Sequence, residues 1–553
     1  MRNLVRGAVT AALLLTGAAT LAGPAAVDAQ TAPGTFGTDA ISSTVQVTGG
    51  NIHGAARDQD GVLSFKDIPF ATPPVGKLRW QAPMPVRPWK GIRDARSYGN
   101  RCWAQPVFEG MGLHPVLKQD ENCLTLNIET SAESVNEKRP VLVWIYGGGF
   151  EFQFGEGVQP FPNGKALVKK GAVLVTFNYR LGVLGYFAHP ELDKEGSLSG
   201  NFGLMDQIAA LKWVKANISR FGGDPDKVTV FGESAGSHAV GLLMSSPLSK
   251  GLFQRAIGES GSFWENEHGS ICTRATAFAQ SAALMKKLGV KNIDELRALP
   301  PDKLMLETPW DLTTDPAVTA FAPCEGDSVL PKSPASAFMA KEQNDVPLLA
   351  GWNAFEGSLF LSRMLPHANA AEFRAAAAKQ FGQARMPEFL KNYPADTDAE
   401  AKSSAAQLIG DLAIGAQTWE WLNLQKATGK SPVYGYEFTF TSPFTPIPAH
   451  TAEITYVFGS LAPQIFTPPN VTPGPEDRQL ANLMTSYWVN FARNGNPNGP
   501  GLPQWPEYGG AGTSVMQFGK TTGAITELGT SRYRFIESYR INGRLPEAWR
   551  KTE

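Results

Sequence analysis

Apolar residues along this 553-residue chain gather in short unbroken runs rather than alternating with polar ones. Residues 140–146 (Pro-Val-Leu-Val-Trp-Ile-Tyr) run into Gly147-Gly148-Gly149, and residues 172–177 (Ala-Val-Leu-Val-Thr-Phe) into Asn178. Short β-branched runs closed by turn residues predict strands buried on both faces, as in a parallel sheet. From Gly203 to Phe221 the period changes. Leu204, Ile208, Leu211, Val214 and Ile218 recur at helical spacing, and Phe221-Gly222-Gly223-Asp224-Pro225 stops the helix. Residues 228–231 (Val-Thr-Val-Phe) predict the next strand. Strand, helix, strand implies a right-handed crossover onto a parallel sheet. Helices alternate with short strands as far as Trp488, with no internal repeat and no low-complexity linker. The pattern predicts one large α/β domain carrying insertions.

The N-terminus breaks the pattern. Arg2 and Arg6 precede an apolar run at 8–15, small residues follow to Ala22, and Val27-Asp28-Ala29 offers a cleavage site. These features predict a secretory signal peptide at 1–29, cut near Ala29, and an exported domain at 30–553, periplasmic or extracellular. The run is shorter than the ~20 apolar residues a membrane span requires, and no later segment predicts an anchor. Export places the four cysteines in an oxidising compartment, where disulfides persist. Four cysteines allow three connectivities, of which the local one is Cys102–Cys123 and Cys272–Cys324. No Cys-x-x-Cys pair occurs, and no histidine cluster accompanies the cysteines, so no metal site is predicted. Charge narrows the class further. With 50 Lys and Arg against 51 Asp and Glu, the chain lacks the basic footprint of a nucleic-acid binder.

The candidate chemistry begins directly after the strand at 228–231, with Gly232-Glu233-Ser234-Ala235-Gly236 and then an apolar helical stretch. A Gly-x-Ser-x-Gly between strand and helix is a sharp turn that lifts a serine above the sheet. A Cβ at either glycine would crowd the neighbouring chain. Ser234 is therefore the candidate nucleophile. Gly147-Gly148-Gly149 ends an earlier strand, where bare backbone N–H groups can face a substrate carbonyl. Together with the N–H of Ala235 they make a two- or three-donor oxyanion hole. A serine also needs a base, and the base an orienting acid, in the chain order Ser, acid, His. His268, His367 and His450 lie well downstream of Ser234, whereas His238 follows it too closely and belongs on the helix. His450, in a Pro-rich loop after a strand at 433–440, suits a base held over a sheet edge. Glu356, just after a strand at 346–350, is one of several acids that the pattern leaves open.

These segments resemble the type-B carboxylesterase/cholinesterase family of α/β-hydrolases. The resemblance rests on Ser64-Phe65-Lys66-Asp67-Ile68-Pro69-Phe70-Ala71, Glu121-Asn122-Cys123-Leu124, Asn178-Tyr179-Arg180-Leu181-Gly182, the Gly232–Gly236 turn, Glu356-Gly357-Ser358 and His450-Thr451-Ala452-Glu453. It covers most of the chain after residue 30. It implies an α/β-hydrolase fold with a large, mostly parallel sheet, Ser234, Glu356 and His450 as a triad, and Gly148, Gly149 and Ala235 as the oxyanion hole. It also implies a buried Arg79–Glu121 ion pair and a supporting role for Ser260 near the acid. Three positions depart from the family pattern. Asp67 stands where Gly is preferred, Glu259 where Gln is preferred, and the Cys272–Cys324 loop is longer than the family's usual second loop. In cholinesterases a Trp in the first cysteine loop receives quaternary ammonium by cation–π contact. Here that place is taken by Leu113, with Trp103 elsewhere, so a choline ester is not expected.

The expected activity is hydrolysis of a small-molecule carboxylic ester through an acyl-enzyme, with no metal or organic cofactor, no nucleic-acid partner and no stable membrane anchor. The resemblance carries two alternatives. One is a lipase or a detoxifying esterase of fumonisin-type mycotoxins. The other is a non-catalytic binding protein, although such relatives typically lose the serine that this chain keeps.

Overall fold

The computed structural model describes residues 39–105, 118–153, 163–196, 200–262, 272–308, 321–359, 369–527 and 529–539. The predicted leader at 1–29, Leu113, His268 and His367 lie outside these residues.

Ten strands form one sheet. In chain order they are β1 (Leu63–Pro69), β2 (Thr125–Thr130), β3 (Arg139–Ile145), β4 (Val173–Phe177), β5 (Gly223–Glu233), β6 (Arg255–Glu259), β7 (Leu348–Asn353), β8 (Val433–Phe438), β9 (Ser514–Phe518) and β10 (Gly523–Thr526). Across the sheet the order is β10-β9-β8-β7-β6-β5-β3-β4-β2-β1. From β4 through β9 every neighbouring pair is parallel, and the two edges are antiparallel. The apolar runs of the sequence are these central strands. Residues 140–145 of β3 and all of β4 are buried, because helices cover both faces.

The predicted helix after Gly203 is α1 (Phe202–Asn217), which tightens into a short turn at Ile218–Phe221 before Gly222 stops it in a left-handed conformation. The strand that follows is longer than its apolar centre. It begins at Gly223, because edge polar residues can still pair with Arg139 of β3. The strand expected at 346–350 is shifted to Leu348–Asn353, since Pro347 has no N–H to donate to a ladder. The remaining helices that matter for the site are α2 (Ala235–Ser245), α3 (Asp398–Gly410), α4 (Ala416–Thr428), α5 (Pro475–Asn494) and α6 (Thr530–Tyr539). Among the described residues no helix is long and apolar enough to cross a membrane.

Both predicted cysteine pairs are bonded, Cys102–Cys123 with Cα atoms 5.1 Å apart and Cys272–Cys324 with 4.6 Å. The longer second loop closes because Cys272 and Cys324 sit opposite each other in a two-stranded parallel ladder. Asp67 also finds its explanation. It adopts φ 54° beside a bulge in β1, a conformation that favours glycine but that aspartate tolerates better than most residues. Its carboxylate is held by Arg93 at 2.6 Å.

Candidate active site

Four parallel strands deliver the candidate residues to one end of the sheet. Glu233, the last residue of β5, pairs with Glu259 of β6, and Glu259 pairs with Gly351 of β7. Ser234 follows β5 directly, with φ 54° and ψ −123°, and is the residue before α2. A non-glycine residue there is strained, and close packing holds it in place. A Cβ on Gly236 would lie 1.9 Å from the Ile145 carbonyl oxygen, and one on Gly232 would lie 2.6 Å from the Gly236 carbonyl carbon. Both glycines of the turn are thus required by contact with β3 and with each other, as the sequence pattern predicts. The Ser234 N–H donates to the Glu259 carbonyl at 2.9 Å, which ties the turn to β6.

The glycine loop after β3 packs on this turn. A Cβ on Gly147 would lie 3.0 Å from Ser234 Cβ, and Gly148 and Gly149 have φ values of 111° and 61°. The Gly148 carbonyl accepts the N–H groups of Glu151 and Phe152, which curls the loop back on itself. Ala235 occupies the first helical position of α2, where a backbone N–H has no intrahelical acceptor. Gly147 therefore packs against Ser234 from one side, and Ala235 follows it on the other.

Glu356 and His450 arrive on the other flank. Phe355 bridges Ala449 in a parallel fashion, and its N–H donates to the Pro448 carbonyl at 2.9 Å. That bridge sets Glu356 beside His450, 94 residues further on. His450 Nδ1 donates to Glu356 Oε2 at 2.6 Å, and Glu356 Oε1 accepts the Asn353 N–H at 2.6 Å. The other ring nitrogen, Nε2, lies 3.2 Å from Glu233 Oε1, so the imidazole spans from the acid to the residue preceding Ser234. His238 sits on α2, as expected.

Sequence reasoning assigned no role to several neighbours. Glu453, three residues after His450, accepts from Ser260 Oγ at 3.0 Å and from Asn353 Nδ2 at 2.5 Å. Asn353 Nδ2 also donates to Ser260 Oγ at 3.1 Å. Ser260, expected near the acid, is thus linked to it through Asn353. Glu259 accepts from Trp488 Nε1 of α5 at 2.7 Å, an acceptor role that glutamate shares with glutamine. The positions of Glu233, inside the serine turn, and Glu453, inside the histidine loop, were the available signals.

Glu233, Glu356 and Glu453 are buried and act on the His450 imidazole, and buried Glu259 lies beside Glu233 and Glu453. Burial alone pushes His450 down, but Glu233 and then Glu356 outweigh it and lift the imidazole to about 9. Burial raises Glu233 well above the usual carboxylate range; His450 pulls it back, and Glu453 and Glu356 push it further up. Glu259 is raised by burial and then by Glu453. Beside the first disulfide, Arg79 and Glu121 form the expected ion pair at 2.6 Å. Among the described residues no group of three or more His, Cys, Asp or Glu side chains is arranged to hold a metal ion.

Comparison with known proteins identifies the family. The carboxylesterase family matches residues 41–536, so the chain belongs to the carboxylesterase family and is a carboxylic ester hydrolase on the α/β-hydrolase fold. It is 37% identical over 489 residues to the fumonisin B1 esterase of Sphingopyxis macrogoltabida, which covers 86% of this chain and 87% of that protein. It is 33% identical over 459 residues to the para-nitrobenzyl esterase of Bacillus subtilis (strain 168), covering 81% and 90% respectively. Among solved structures, the carboxylesterase EST55 of Geobacillus stearothermophilus superposes with a TM-score of 0.74 at 32% identity, covering 89% of this chain and 99% of that one.

Proposed function

We propose that the chain is a secreted serine carboxylesterase acting through a Ser234–His450–Glu356 triad. The observation that carries this reading is the His450 imidazole, bonded to Glu356 at 2.6 Å through Nδ1 while Nε2 reaches the strained turn that presents Ser234. His450 takes the Ser234 proton as the oxygen attacks the ester carbonyl. Glu356 holds the ring in the tautomer with Nδ1–H and stabilises the imidazolium that forms. The N–H groups of Gly148, Gly149 and Ala235 bind the oxyanion, each such donor being typically worth about 10²–10³ in rate. His450 returns the proton to the leaving alcohol. It then activates water, which hydrolyses the acyl-enzyme and frees Ser234. The expected result is that Ser234→Ala abolishes hydrolysis of a short p-nitrophenyl ester and labelling by a fluorophosphonate while the protein stays folded. Retention of most of that activity would overturn the assignment.

Residues 1–29 serve, in this reading, as the leader and 30–553 as the exported single domain. Support comes from Arg2, Arg6 and the apolar run, and from the two bonded cysteine pairs. N-terminal sequencing of the exported protein tests it, with a first residue near Gln30 expected.

A second reading narrows the substrate. The 37% identity to a fumonisin B1 esterase favours the detoxifying alternative, from which we infer esters whose acyl part carries free carboxylates. A panel of esters varying acyl length and acyl charge decides it: preference for polyanionic acyl groups supports this reading, and preference for neutral ones removes it.

A further inference from the structure

The loop that carries Glu356 is not held by its own strand alone. Past β7 the chain turns at Glu356-Gly357 directly onto the backbone of α3. A Cβ on Gly357 would sit 1.9 Å from the Ala406 carbonyl oxygen and 2.8 Å from the Gly410 nitrogen. A Cβ on Gly410 would sit 2.5 Å from the Gly357 nitrogen and 3.0 Å from Glu356 Cβ. Backbone therefore meets backbone. Close-packed interiors transmit strain, so a shift at this end of α3 is passed straight to Glu356.

At this same point the helix changes its winding. Asp411–Gly415 forms a single π-helical turn between α3 and α4. Such turns are rare and tend to mark functional places in a helix. Asp411 holds this one. Its buried carboxylate accepts from Arg532 Nε at 2.7 Å, the Tyr393 hydroxyl at 2.9 Å and Gln407 Nε2 at 2.8 Å. Arg532 belongs to α6, and its neighbour Tyr533 packs edge-on against Trp352 of β7, with ring centroids 5.5 Å apart. The Tyr533 hydroxyl lies 2.9 Å from where a Cβ on Gly415 would be. Helix α6 thus touches both the strand that leads to Glu356 and the π turn that packs against its loop.

We propose that Asp411 and Arg532 are positioning residues for Glu356, keeping the π turn seated on Gly357 and so aiming the Glu356 carboxylate at His450 Nδ1. Neither residue touches the reacting atoms. The proposal rests on the reading of Glu356 as the triad acid. Displacements of about 1 Å at a reacting group can cost on the order of 10²-fold in rate, so a slack π turn is expected to register in turnover.

The test compares Asp411→Asn and Arg532→Gln with the parent enzyme. Competent sites are counted with a fluorophosphonate, and turnover of a short p-nitrophenyl ester is expressed per counted site. The expected result is a fall in kcat of about tenfold or more with KM held within about twofold, because transition-state alignment is lost while substrate binding is kept. The downfield imidazole N–H proton resonance of His450 should broaden or shift with it. A merely structural ion pair would lower the Tm and the yield but leave kcat per site and that resonance unchanged, and this result would overturn the proposal. Should both variants fail to fold, Gly410→Ala probes the same contact from the other side. It should give the same loss of kcat, and unchanged turnover would overturn the proposal. Glu356→Gln, measured alongside, separates the two levels. If Glu356→Gln stays active, the triad reading itself fails. If it is inactive while the Asp411 and Arg532 variants turn over normally, only the positioning proposal fails.

Discussion

Arg79 and Glu121 meet through two parallel hydrogen bonds of 2.6 Å, and the remaining guanidinium nitrogen donates to the carbonyls of Arg297 and Leu299. One cation faces one anion, and the donors have acceptors. Around His450 the arrangement is the reverse. Buried Glu233, Glu356 and Glu453 crowd the His450 imidazole, and among the described residues Glu259 Oε2 and Asn353 Oδ1 have no hydrogen-bond partner. Ser234, Ser260 and Thr451, which stand in or beside this cluster, all take positive φ. A buried pair with matched charges and satisfied donors offsets its own desolvation cost through that pairing. An unbalanced cluster with strained backbone is retained only where its surroundings over-determine it, and such places coincide with function. The contrast separates a balanced charge pair from an unbalanced cluster, the one proposed to react, within the same fold.

The contrast breaks most directly at the proposed nucleophile. Ser234→Ala should lower kcat/KM by about 10⁴-fold or more, since the triad acts as a unit. The Tm should stay near the parent value, and steady-state kinetics beside a melting curve checks both. Glu356→Gln comes next, with an expected loss of about 10⁴-fold at most, because the amide no longer enforces the Nδ1–H tautomer. A loss under tenfold would show that His450 is oriented by something else. The structural cluster should respond the other way. Glu121→Ala strands Arg79 and should cost about 3–5 kcal/mol of stability in denaturant unfolding, with kcat per titrated site unchanged. A selective loss of kcat would place this pair in the reactive class instead.

The smallest effect concerns pH. As the proposed base, His450 must be neutral to act, and it is lifted above the ordinary imidazole range, so kcat/KM should rise with pH along a limb set by its deprotonation. Among the groups that lift it, Glu233 is the largest. Wherever Glu233 is ionised, its charge beside the ring favours the imidazolium, so Glu233→Gln should move the limb to lower pH. A shift of about one unit corresponds to about 1.4 kcal/mol of interaction. An unmoved or upward-moving limb in the pH–rate profile would count against the placement of Glu233 beside Nε2.

Much of the fold was legible because the central strands are buried on both faces and so carry uninterrupted apolar runs. Residues 140–145 and 173–177 could not pass for anything else once their closing turns were read. Antiparallel edges such as β9 and β10 were less legible, since half-exposed short strands leave little pattern. The serine turn and glycine loop were legible for a different reason. Backbone approaches of 1.9 Å and 2.6 Å to a missing Cβ leave glycine as the residue that fits, so geometry writes itself into composition. Glu356 was not legible from periodicity, because any acid after a strand looks alike; the family resemblance singled it out. Asn353 had no local signal for a role, and Glu453 only its place in the histidine loop. Their contacts span 193 and 93 residues to Ser260, and nothing in a local pattern reports such distances.

The amino-acid sequence by itself determined the strand–turn–helix frame, the glycines that permit the turn and the oxyanion loop, the residue types available for acid–base work, and the family. These depend on local sterics and on periodicity, which act over a few residues. Only the tertiary structure decided which acid meets His450, that Glu233 reaches its far nitrogen, and that four carboxyls share one buried site. Only it decided that the Glu356 loop rests on the π turn held by Asp411 and Arg532. Those outcomes depend on which strand ends become neighbours and on how far water is excluded from them. Burial and opposing charge then set each group's protonation, a quantity that no residue carries alone.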